Sequence, residues 1–133
     1  MGPESNTLIP RFDMEVDMQS LEPIRAWSRA CRLVIEHYHT AKSCRDHALR
    51  DEILNALLSL PVRLAEGATA NQIEETSAAF AAARTCCAKI KTHLYIAKEL
   101  HFIDSTASDR FLIESMDVSE LLRAKNPFGE ENG

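Results

Sequence analysis

The chain has 133 residues, of which 45% are apolar, with four glycines, five prolines and a net charge of −5. This size suits one domain with one core. Helix-forming residues dominate the middle, which argues against a sheet protein, and no apolar run approaches the ~20 residues of a membrane span. The charge divides as −3 over residues 1–19, +2 over 20–103 and −4 over 104–133, so the acidity sits at the ends and the centre neither promises nor excludes a nucleic-acid face.

The opening Met1-Gly-Pro-Glu-Ser-Asn has no basic segment followed by an apolar run, so no signal peptide is expected and the cytoplasm is the default location. Residues 1–19 read as an arm. In it Phe12, Met14, Val16 and Met18 alternate with Asp13, Glu15 and Asp17 in a period of two. Such a segment is either a loosely ordered tail or an extended strap along a neighbouring helix or subunit.

A first helix is predicted from about Pro23 to about Ser43, with Ile24, Trp27, Cys31, Val34, Tyr38 and Ala41 as its bundle-facing stripe. A second runs from about Asp46 to Glu66, with Leu49, Ile53, Ala56, Leu57, Leu60 and Leu64 inward, a kink at Pro61, and Gly67 as a left-handed stop. A third opens on an Asn71/Glu74 capping box and reaches about His101, roughly 45 Å at 1.5 Å per residue. Its stripe is Ile73, Phe80, Ala83, Cys87, Ile90, Leu94 and Ala97, widened by Ile96, Leu100 and Ile103. The small residues Ala78, Ala79, Ala81 and Ala82 permit close approach on several sides, which makes them, with Phe12 and Met14 of the arm, the expected subunit contacts. A fourth helix begins near Ser105 or Thr106 and carries Phe111, Leu112, Met116, Leu121 and Leu122, with a second cap at Asp117 and Glu120 expected to break it. Short turns favour an all-α, up-down-up-down antiparallel four-helix bundle over residues 20–125, with a kinked second helix, a long third one and a tail at 126–133.

Several of these segments together resemble a known family. Ala26-Trp27, Ala30, Leu33-Val34 and Tyr38, then Ser59-Leu60-Pro61 running into Ala65-Glu66-Gly67, then Thr92, Leu94-Tyr95-Ile96-Ala97, Leu100 and Phe102-Ile103 carry the likeness. Over roughly residues 24–123 the chain resembles the four-helix-bundle proteins encoded in intervening sequences of bacterial 23S ribosomal RNA genes, a family that includes the accessory variability protein of diversity-generating retroelements. The resemblance implies a homo-oligomer, with a ring-shaped pentamer as the expected form, and no known catalytic reaction. In the retroelement branch it implies a basic ring that binds nucleic acid and a reverse transcriptase. This chain departs from that branch at Ala68–Glu75, where relatives commonly carry an arginine-rich or polar turn, and at Lys89, which replaces a glutamate.

Residues able to do chemistry are few. Glu66 lies in the last turn of the second helix, where the dipole disfavours a negative charge, so a compensating bond to Arg25, Arg29, Arg63 or a backbone donor is expected, and Trp27, Pro61, Glu66 and Gly67 read as structural. Glu36, His37 and His39 hint at a metal, but positions 37 and 39 stand about 200° apart on a helix. Cys31, Cys44, Cys86 and Cys87 form no CxxC pair and read as free, partly buried thiols. No catalytic residue, metal or cofactor is therefore expected. For nucleic acid the candidate phosphate contacts are Arg25, Arg29 and Arg32, which share one helix face, with Lys89 and Lys91. The functional expectation is a non-enzymatic homo-oligomeric scaffold or accessory protein, with nucleic-acid binding through the first helix as the alternative.

Overall fold

The computed structural model describes residues 21–124, in four helices: α1 (Leu21–Lys42), α2 (His47–Thr69), α3 (Ile73–Glu99) and α4 (Ser105–Ala124). The proposed arm at 1–19, with Phe12 and Met14, and the tail at 126–133 lie outside the described residues. Each helix packs on its neighbours in the chain and α4 closes onto α1. Arg29 of α1 meets Asp117 of α4 while His37, two turns later, meets Glu114, and Lys98 of α3 meets Asp109. These pairings run in opposite directions along adjacent helices, which makes the bundle up-down-up-down. There is no strand among the described residues.

The core is formed by Ile53, Leu57, Leu60 and Leu64 of α2, Phe80, Ile90 and Leu94 of α3, and Phe111 and Val118 of α4. On α1 the inward positions are Ala26, Ala30, Leu33, His37 and Ala41. This corrects the expected stripe: Ile24, Trp27, Cys31, Val34 and Tyr38 are only partly covered, about 100° round the helix from the buried set. Small residues at Ala26 and Ala30 let α1 sit close to the core, and the larger apolar side chains are turned to one flank. Ile73, Ile96, Leu100 and Met116, expected inside, are exposed.

The ends of the helices explain further differences. Asp46 caps α2 by accepting from the Leu49 N–H at 3.0 Å. α2 then runs through Pro61 and past Gly67 to Thr69, so Gly67 is not its stop. It is glycine for space: a Cβ there would lie 2.5 Å from Cε1 of the Phe80 ring and 3.3 Å from the Ala79 Cβ. The Asn71 capping box does not form, since α3 is flanked by Gln72, whose side chain makes no cap bond. α3 ends in a Schellman arrangement, with the His101 N–H donating to the Lys98 carbonyl at 3.0 Å and the Phe102 N–H to the Ala97 carbonyl at 2.9 Å. His101 occupies the left-handed position, φ 63°, that glycine usually fills. Arg45 ties the two turns at this end together, its N–H donating to the Phe102 carbonyl at 2.9 Å and its guanidinium to the His101 carbonyl. Asp104 caps α4 through the Ala107 N–H at 2.8 Å, and α4 is unbroken at Asp117 and Glu120.

Candidate functional site

Two surfaces stand out: a charged groove between α1 and α4, and an apolar face across α1 and α2. The groove, of about 230 Å³, is lined by Arg29, Arg32, Leu33 and Glu36 from α1 and by Glu114, Asp117 and Val118 from α4. Beside Glu36 of this lining lies His37, 3% exposed, its ring stacked on Phe111 with centroids 4.8 Å apart and planes 3° from parallel. Its Nε2 is 2.6 Å from the Glu114 Oε1. That hydrogen bond holds the Glu114 carboxyl below its ordinary range, with partial desolvation opposing it. Glu36 approaches from the other side, so that one donor atom each of Glu36, His37 and Glu114 lies within 4.8 Å of the others. The sequence signal was present only in part, because Glu36 and His37 are adjacent in the chain but Glu114 is supplied by a different helix.

The apolar face follows from the rotation of α1. One flank of α1 meets α4 in the groove, and one flank of α2 meets α3 around Arg63 and Glu66, so the opposite flanks of both helices form a shared face. Trp27, Cys31 and Ile35, spaced four apart, line it from α1. Leu54, Leu58 and Val62, with the same spacing, line it from α2. Ile35 is 76%, Leu58 46% and Val62 51% exposed.

The candidate residues for nucleic acid fall on separate surfaces. Arg29 and Arg32 share the α1–α4 groove, where Arg29 stands 3.8 Å from Asp117 and Arg32 3.8 Å from Glu36; Arg25 is exposed a turn earlier. Lys91 lies between α3 and α4, in a groove with Arg84, Glu120 and Arg123, while Lys89 is exposed on α3 near Cys86. The structure does not bring the lysines to the arginines. Among the small residues, Ala79 is buried against Gly67, Ala78 and Ala82 line a hollow beside Arg63, Glu66 and Thr69, and Ala81 faces outward. Glu66 finds its partner in Arg63, which donates to both carboxylate oxygens at 2.8 and 2.9 Å. All four cysteines are free thiols. No helix among the described residues is long and apolar enough to cross a membrane.

The fold and its surfaces define a small antiparallel four-helix bundle with a polar α1–α4 groove and exposed apolar residues across α1 and α2. The model of a family described as 23S rRNA-intervening sequence protein matches residues 22–124, and the chain belongs to that family. No curated protein and no solved structure matches the chain.

Proposed function

We propose that this chain is a non-enzymatic, homo-oligomeric scaffold or accessory protein of the cytoplasm, whose subunits meet through the α1–α2 face. The observation that carries the reading is the joint exposure of Ile35, Leu58 and Val62 beside the partly covered Trp27, Tyr38 and Leu54. A contiguous apolar surface of this kind costs solubility unless a partner covers it. Fully burying one such side chain gives about 1.5–3 kcal/mol, and repetition of the face on every copy supplies a partner of matched chemistry. The family resemblance favours a ring-shaped pentamer.

Light scattering on the full chain tests this. The expected mass is a multiple of 14.9 kDa, falling to 14.9 kDa in the Leu58→Asp/Val62→Asp variant with the helical circular dichroism retained. A wild-type monomer at about 100 μM would overturn the reading, as would a variant that still assembles. Nucleic-acid binding through Arg25, Arg29 and Arg32 draws less support, since Arg29 stands near Asp117 across the groove and Arg32 near Glu36 on its own helix. Anisotropy titration against short RNA and DNA over a salt series tests it, and absence of binding at low salt removes it.

A further inference from the structure

We propose that Glu36, His37 and Glu114 form a binding site for a divalent transition-metal ion in the α1–α4 groove. The three donor atoms lie within 4.8 Å of one another. Ligands about 2.0–2.2 Å from a common ion stand no more than about 4.4 Å apart, so small rotations of two glutamate side chains close the set. The donors differ usefully in freedom. His37 is buried and clamped face to face on Phe111, with its Nε2 directed at Glu114. Glu36 and Glu114 are its movable counterparts at the rim, with side chains 45% and 38% exposed. The open side of the groove leaves coordination positions for water.

A histidine that only needed a hydrogen-bond partner would be satisfied by Glu114 alone. Glu36 brings a second carboxyl beside the first, held to it by a side-chain hydrogen bond; with both groups ionised, like-charge repulsion disfavours the arrangement unless a cation is shared between them. The neighbouring arginines answer this only at arm's length, since Arg32 stands 3.8 Å from Glu36 and Arg29 is drawn to Asp117. An ion between the carboxylates interacts with both at about half that distance. One imidazole nitrogen with two carboxylate oxygens suits zinc, manganese or ferrous iron; calcium prefers six to eight oxygen ligands. On binding, the neutral imidazole presents its Nε2 lone pair to the metal and carries its proton on Nδ1, which frees Glu114 to become a ligand.

The test is titration calorimetry of the metal-stripped, reduced full chain with Zn²⁺, Mn²⁺ and Ca²⁺, alongside the isosteric Glu36→Gln and Glu114→Gln variants. Both substitutions lie at the rim and their fold is checked by circular dichroism. One Zn²⁺ per chain is expected, with affinity reduced about tenfold or more in each variant and no comparable Ca²⁺ binding. Under Mn²⁺, paramagnetic broadening of NMR signals should centre on residues 33–37 and 111–118. Absence of Zn²⁺ binding would overturn the proposal. So would binding of equal strength in both variants, which assigns the metal to thiols or surface histidines, or broadening centred elsewhere.

Discussion

Gly67→Ala sets two effects of opposite sign against each other. Gly67 lies within α2, and replacing a helical glycine with alanine gains about 1 kcal/mol from backbone entropy and helix propensity. The new Cβ, however, would meet the Phe80 ring at 2.5 and 2.8 Å. Carbon atoms settle at about 3.5–4.0 Å, so the ring must retreat by about 1 Å or the two helices must part. Phe80 is buried, and α3 is held against α2 along much of its length, so neither response is free. Overpacking of this kind costs about 1–3 kcal/mol, which outweighs the propensity gain and leaves the variant about 1 kcal/mol less stable. In a domain of this size that lowers Tm by about 3–5 °C. Thermal unfolding followed by circular dichroism at fixed protein concentration measures it, with concentration controlled because any self-association would shift Tm. A double-mutant cycle with Phe80→Leu should recover part of the loss, since the smaller side chain removes the clashing atoms. A Gly67→Ala variant as stable as the parent, or an additive cycle, would refute the close-packing account.

Other outcomes follow from single contacts. His101→Gly should raise stability by about 0.5–1 kcal/mol in urea unfolding, because φ 63° suits glycine better than histidine. Asp46→Ala should cost about 1 kcal/mol through loss of the cap on Leu49, whereas Asn71→Ala, outside any cap bond, should change stability by only a few tenths. Glu114 is held below its ordinary pKa by His37, so its contribution is present above the unfolded value near 4.3 and is lost as pH falls through the lower folded value. Acid unfolding should therefore be shallower in Glu114→Gln than in the parent. Cys87, whose thiol burial pushes up to about 12, should resist alkylation at pH 8 until the bundle unfolds, as mass spectrometry of timed samples would show.

Helix number, order and direction were legible because each segment repeats its apolar residues with helical spacing and the turns are short. Rotation about the axis was less so, and α1 shows why. It carries two apolar sets, Ala26-Ala30-Leu33-Ala41 and Trp27-Cys31-Val34-Tyr38, about 100° apart, and the larger side chains attracted the core assignment. The structure buries the smaller set. On α3 the alanine-rich stretch invited a subunit contact, yet part of it is spent inside the chain, where Ala79 and the Phe80 ring close over Gly67. Glycine and alanine advertise close approach without naming the partner. The same holds for Glu114: its own neighbours in sequence give no sign of His37, which lies 77 residues away, because their meeting depends on how α4 closes the bundle.

The two sets on α1 also separate the tasks of the helix. The small set, Ala26, Ala30, Leu33 and Ala41, enters the core with α2 and α4. Trp27 and Val34 of the large set pack on the margin of that core, while Ile35 on α1 and Leu58 and Val62 on α2 stay exposed. A monomer optimised for solubility would place polar residues at these positions, as the α1–α4 groove does with Arg29, Arg32, Glu36 and Asp117. Exposed apolar residues also occur on α3 and α4, at Ile73, Tyr95, Ile96, Leu100, Ile113 and Met116, but the α1–α2 set lies apart from the charged groove and leaves it accessible. Assembly and metal binding can therefore be tested separately: Leu58→Asp/Val62→Asp should abolish assembly while preserving Zn²⁺ affinity, and Glu36→Gln should do the reverse. Loss of both properties in either variant would show that the two surfaces are not independent.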